Sequence, residues 1–187
     1  INVQYIRKNT LELLAESQVE LDRVKKIAFD LDAFSRTGNQ EKWAWVDIQQ
    51  MLVSTLNLVW NELKYKCEVR RIYATLPRIY CLPAGLNLVF MNLLLNAAEA
   101  IKERGVITLS TGHEGNQVWI EISDTGEGIE PQNVSRIFDP FFTTRPVGRG
   151  TGLGLSVSYS IVEKHAGRIE LASEVGTGTR MRVWLPV

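Results

Sequence analysis

Four polar, glycine- or asparagine-bearing segments, each set against a regular apolar pattern, constrain this chain more than any other feature. They are NLVFMNLLLNAAEA (residues 87–100), SDTGEGIE (123–130), FDPFFTTRPVGRGTGLGLS (138–156) and GTGT (176–179). The first lies inside a helical pattern, and the second and fourth sit at the ends of alternating, strand-like runs. The third leads from a loop into a helix. A chain that switches between periods of 3.6 and 2 in this way is expected to fold as a two-layer α/β sandwich, one sheet with helices on one face.

Composition narrows the class. Lys+Arg and Asp+Glu are both 21, so the formal net charge is 0, which argues against a nucleic-acid partner. Hydrophobic residues at 45% and charged residues at 22% are ordinary for a globular chain. Cys67 and Cys81 fall in no CxxC pattern and near no histidine cluster, so they read as two half-buried thiols rather than zinc ligands or a disulfide. No run approaches the length of a membrane span.

Residues 1–36 contain neither Gly nor Pro, and Val3, Ile6, Leu13, Leu21, Val24, Ala28 and Leu31 recur at helical spacings. Such a stripe needs a partner, so residues 1–40 are expected to form a helical, dimerising segment, as one helix or a hairpin broken near Glu16. Residues 41–187 are expected to form the α/β unit. Within it, residues 42–47 read as a connector containing Trp43 and Trp45, and Asp47 caps a helix from Ile48 to about Tyr65. Cys67 to Tyr73 reads as a strand, and a helix runs from Pro83 to about Arg104. Residues 106–111 and 117–123 read as a hairpin, with His113 in its loop. A short helix follows Pro131, another spans about Thr151 to His165, and residues 168–173 and 179–185 close the sheet.

The chemistry resides in the four segments. Asn92 and Asn96 lie one turn apart on an otherwise apolar helix, with Glu99 a turn further. A buried, unpaired amide costs about 1–3 kcal/mol, so both need partners. Bonds to neighbouring backbone would satisfy them; alternatively the Asn96 carbonyl is a hard oxygen suited to Mg²⁺ beside ATP phosphates. Asp124, at a strand end before two glycines, can accept from the exocyclic amine of adenine; alone, DxGxG is a weak signal that also reads as a solvated turn. Residues 150–155, GTGLGL, enter a helix N-terminus and so offer backbone N–H groups to an anion. No Lys-Ser/Thr follows, so this is not a P-loop, and a flexible hinge is the alternative account of this segment alone. Phe138, Phe141 and Phe142 either anchor the intervening loop on the core or form the docking base of a nucleotide lid. Arg145 and Arg149 can reach phosphates or stay solvated, and Thr179 adds a hydroxyl near the base.

In this order and spacing the segments resemble the nucleotide-binding boxes of the GHKL (Bergerat-fold) ATPases, and most closely the catalytic domain of two-component sensor histidine kinases. The pairing FDPFFTT…GTGLGLS is highly specific, and AFDLDAFSR (residues 28–36) resembles the end of the dimerisation helices that precede such domains. The resemblance implies ATP and Mg²⁺ as cofactors, Mg²⁺ being held by Asn96. It implies a nucleotide-binding set of Asn92, Asn96, Asp124, Gly126, Gly128, Ile129, Phe142, Thr143, Gly150, Thr151, Gly152, Leu153, Gly154, Leu155 and Thr179. Asn92 carries a positioning role in catalysis. The implied partners are a response-regulator receiver domain and a second copy joined through the N-terminal helices. The implied location is cytoplasmic, including as the cytoplasmic part of a membrane-bound sensor.

Departures from the family pattern sharpen the expectation. Hydrolytic GHKL members place a glutamate base where this chain has Asn92, a poor base, which favours phosphoryl transfer over hydrolysis. Many kinases carry lysine where Glu99 stands. His113 and His165 are the only histidines, and neither lies in a phosphoacceptor setting, so the acceptor is expected outside this chain, just before Ile1. A GHKL ATPase and a non-enzymatic nucleotide-binding scaffold are the competing readings.

Overall fold

The computed structural model describes residues 42–146 and 150–187, together with positions 10, 13, 14, 17 and 21. Those five isolated positions are helical and exposed, and the rest of the expected dimerising segment lies outside the described residues.

Helix α1 (Ile48–Leu63) starts where Asp47 Oδ1 accepts from the backbone N–H groups of Gln49 (2.9 Å) and Gln50 (3.2 Å). Its buried face, Ile48, Met51, Leu52, Leu56, Val59 and Leu63, follows the helical period and lies against helix α2 (Pro83–Ala100). Helix α2 is apolar nearly all round and packs between α1 and helix α4 (Gly154–Lys164). A four-residue helix, α3 (Pro131–Val134), precedes the phenylalanine-rich loop.

The five-stranded sheet has the order β2-β4-β5-β7-β6. Strand β2 (Cys67–Tyr73) runs parallel to β4 (Gly105–Glu114), whereas β5 (Gln117–Asp124), β7 (Gly178–Pro186) and β6 (Arg168–Glu174) continue antiparallel. Alternate residues face the helices: Ile107 and Leu109, Val118, Ile120 and Ile122, Met181, Val183 and Leu185 are all buried. The opposite face carries Trp119 and Trp184 with their rings 6.5 Å apart. Arg182 lies 4.4 Å over Trp119, and Arg168 lies 4.4 Å over Trp184.

Several boundaries depart from expectation for identifiable reasons. Helix α2 ends at Ala100 rather than near Arg104, because Ile101 is already extended (φ −85°, ψ 113°). His113 pairs with Val118 inside β4 rather than standing in the loop, which shortens the turn to Gly115 and Asn116. The supposed connector holds a strand, β1 (Ala44–Val46), paired with β3 (Ile79–Cys81) as a separate two-stranded ribbon. Trp43 and Trp45 each pack on Tyr80 at 5.5 Å. Cys67 and Cys81 form no disulfide, and both are buried rather than half-buried.

Candidate nucleotide site

Helix α2 is the floor on which three loops land at successive turns. Asn92 is 5% exposed, and its amide nitrogen donates to the Gly154 carbonyl (3.0 Å) and the Ser158 hydroxyl (3.3 Å). The buried amide is thereby satisfied, and the N-terminus of α4 is fastened to α2. One turn on, Asn96 Oδ1 accepts from the Arg145 guanidinium at 3.0 Å, and the same guanidinium pairs with the Glu99 carboxylate. At the end of the helix the Ala100 carbonyl accepts from Glu127 N–H (3.1 Å). A Cβ on Gly126 would stand 2.7 Å from the Ala100 backbone, so only glycine allows this approach.

Asp124 closes one end. It is 8% exposed, and its Oδ1 accepts from Gly126 N–H at 2.8 Å. Burial pushes its carboxyl above the ordinary aspartate value, while the backbone of Gly126 and then of Thr179 oppose that shift. The GTGT turn is pressed against this loop: a Cβ on Gly178 (φ +132°) would lie 1.9 Å from the Asp124 carbonyl oxygen. Ile129 N–H donates to Ser173 Oγ (2.9 Å), and Ser173 Oγ lies 2.9 Å from Thr179 Oγ1. Ser173 therefore laces the Asp124 loop to the closing hairpin. Nothing in the β6 pattern marks it, and only its register opposite Thr179 reveals the role.

The glycine-rich turn forms the other end. Helix α4 begins at Gly154 rather than Thr151, because Gly152 adopts φ +66°, a left-handed conformation that a helix cannot contain. Phe141 N–H donates to the Gly152 carbonyl (2.9 Å), and a Cβ on Gly152 would meet the Phe141 backbone at 2.3 Å. Phe141 itself has φ +67° and is 71% exposed. Phe138 packs on Tyr159 (5.4 Å), and Phe142 lies beneath the Arg136 guanidinium (4.5 Å), so two of the three phenylalanines anchor the loop. Leu153 is buried and its N–H meets Thr151 Oγ1 (3.3 Å), while Leu155 packs partly into the core. No side chain caps α4. Thr143 Oγ1 accepts from Arg145 N–H (3.1 Å), and the Arg145 stem crosses Gly150. Gly148 and Arg149 lie outside the described residues.

This geometry coincides with a known family. Residues 81–187 match the model of the histidine kinase-, DNA gyrase B- and HSP90-like ATPases. The chain belongs to this family. Sensor histidine kinase ZraS of Escherichia coli O157:H7 is 38% identical over 170 residues, covering 90% of this chain and 36% of that protein. The chain thus spans about a third of the length of the curated relatives it matches first. The nucleotide-free catalytic domain of histidine kinase ThkA superposes with a TM-score of 0.70 at 25% identity, covering 78% of this chain and 95% of that one. Full-length ShkA in complex with AMPPNP gives 0.77 at 26% identity, covering 88% and 36% respectively.

Among the described residues no three His, Cys, Asp or Glu side chains gather to hold a metal. Asn96 Oδ1 is a partly exposed hard oxygen that already seats a cation, the Arg145 guanidinium. One neutral oxygen fits a Mg²⁺ ion that takes its other ligands from phosphates and water. His165 is buried and occupied at both ring nitrogens: Nε2 accepts from Leu82 N–H (2.9 Å), and Nδ1 lies 2.7 Å from the Ile161 carbonyl. It is a structural link between α4 and α2. No helix among the described residues is long and apolar enough to cross a membrane.

Proposed function

We propose that this chain is the ATP-binding kinase core of a two-component sensor histidine kinase, passing the γ-phosphoryl group to a histidine outside it. The convergence of the Asp124 loop, the Arg145 loop and the glycine-rich turn on Asn92, Asn96 and Ala100 carries this reading. Adenine sits at the Asp124 end, its exocyclic amine donating to the carboxylate, with Thr179 beside it. Gly126, Gly128 and Ile129 shape that wall. The phosphates run toward Gly150, Thr151, Gly152, Leu153, Gly154 and Leu155, where uncapped N–H groups at the start of α4 meet negative charge. Phe142 and Thr143 hold the loop above them. Asn96 is the residue that would hold Mg²⁺, whose charge would neutralise the phosphate oxygens.

In the transfer, the bond from the γ-phosphorus to the ADP oxygen breaks as a bond to an imidazole nitrogen forms, and ADP leaves. Such chemistry asks for positioning and charge neutralisation rather than a strong base. The engagement of the Asn92 amide with Gly154 and Ser158 supports transfer over hydrolysis, since that position supplies orientation and no proton acceptor. Residues 41–187 then act as the catalytic unit and residues 1–40 as a helical segment joining two copies. A response-regulator aspartate takes the phosphoryl group onward, in the cytoplasm.

Incubation with γ-labelled ATP tests this reading. The chain alone stays unlabelled, while a helical-bundle fragment bearing a histidine from a sensor kinase is labelled when the chain is added. Steady ADP release that Asn92→Ala abolishes, with no label on any histidine, contradicts it.

A further inference from the structure

Glu99 stands one turn beyond Asn96 on the same face of α2, and its carboxylate is bound to the guanidinium that also occupies Asn96 Oδ1. The three groups form one unit: a forked cation, one prong on an amide oxygen and the other on a carboxylate. The side chains of Arg145 and Glu99 are 31% and 40% exposed, so the pair is open to exchange with solvent ions. The Arg145 backbone is itself held by Thr143, which keeps the guanidinium within reach of α2.

We propose that Glu99 is a positioning residue that sets nucleotide affinity by storing Arg145 on the oxygen that a divalent cation would use. The inference rests on the nucleotide reading above. A guanidinium and a dication cannot share Asn96 Oδ1 without strong repulsion, so entry of a metal-bound triphosphate must displace Arg145. A triphosphate offers the displaced guanidinium a stronger anionic partner than one carboxylate, and forked guanidinium binding suits phosphate oxygens. Glu99 thus stands in for phosphate on the resting site and competes with it during binding. A neutral side chain at position 99 removes the competitor and frees Arg145 for the nucleotide.

The sign of the effect separates this role from two others. A carboxylate that ligated the metal would tighten binding, so its loss would weaken affinity. A carboxylate that merely repelled phosphate would weaken binding whatever residue 145 is. The test is calorimetric titration of Mg·AMPPNP into the unaltered chain, Glu99→Gln, Arg145→Ala and the double variant, with thermal melting to confirm folding. Glu99→Gln is expected to bind about tenfold tighter than the unaltered chain. In the Arg145→Ala background the same change is expected to alter Kd by less than about twofold. Binding also becomes more sensitive to added salt in Glu99→Gln, because screening no longer weakens a competing ion pair along with the Arg145–phosphate contact. Weaker binding by Glu99→Gln, or an equal gain in both backgrounds, overturns the storage role while leaving the nucleotide reading intact. No heat from any of the four chains overturns both.

Discussion

Asp124 is the residue at which burial and function pull hardest against each other. Its pKa lies above the ordinary value of about 3.9 because burial disfavours the charge. A raised folded-state pKa means that the stability Asp124 contributes is present at low pH and lost as pH rises through that pKa. The ionised carboxylate is therefore a cost to the nucleotide-free protein, one that the proposed bond from the adenine amine would offset. Asp124→Asn, which can keep the bond to Gly126 N–H, is expected to melt at or above the temperature of the unaltered chain. It should lose roughly 1.5–3 kcal/mol of nucleotide binding, tenfold or more in Kd. Affinity in the unaltered chain should fall on acidification at a pH above the usual aspartate range, and calorimetry across pH reads that onset. Asn92 behaves oppositely. Asn92→Ala strips the Gly154 and Ser158 contacts from a buried site, and urea unfolding should register a loss of about 1–3 kcal/mol without ligand.

At the scale of elements, the closing hairpin and the β1–β3 ribbon carry their own predictions. Gly178→Ala drives a Cβ into the Asp124 carbonyl at a backbone angle that L-residues avoid. Its cost should exceed the roughly 1–3 kcal/mol of backbone strain alone, lowering the urea midpoint accordingly. His165→Leu leaves the Leu82 N–H without this acceptor and removes the ring 5.0 Å from Trp43, for a loss of roughly 1–3 kcal/mol in the same assay. These elements also mark where sequence reasoning stops. Helix α1 and strand β5 are legible because their apolar periods run over several turns or repeats, and α2 because its apolar run is long. Strands β1 and β3, three residues each, are too short to show a period, and their pairing is non-local. Helix α4 starts at Gly154, past the expected Thr151, because Gly152 takes φ +66°, which no apolar pattern announces. The four glycine and asparagine segments announced the site, whereas the Ser173 lacing and the Glu99–Arg145 pair arise only when distant strands and loops meet.

For the molecule as a whole, one sheet and one central helix tie the loops of the site together, so occupancy and global stability are coupled. A ligand that binds only the folded form adds about 2.7 kcal/mol at a hundredfold excess over Kd. At roughly 2–4 °C per kcal/mol for a chain of this size, Mg·AMPPNP should raise Tm by about 5–11 °C. At that same ligand concentration the Asp124→Asn shift should shrink to about 1–5 °C. The outer sheet face offers the natural contrast, because its Trp119, Trp184, Arg168 and Arg182 side chains are already stacked on one another.

Amide chemical-shift mapping during titration with Mg·AMPPNP puts the central claim to its most direct test. The largest changes should fall on Gly126, Gly128, Gly152, Gly154 and Thr179, with the Asn96 side-chain amide moving alongside them. Changes centred on the Trp119 and Trp184 face or on the β1–β3 ribbon, or no change at saturating ligand, would contradict it.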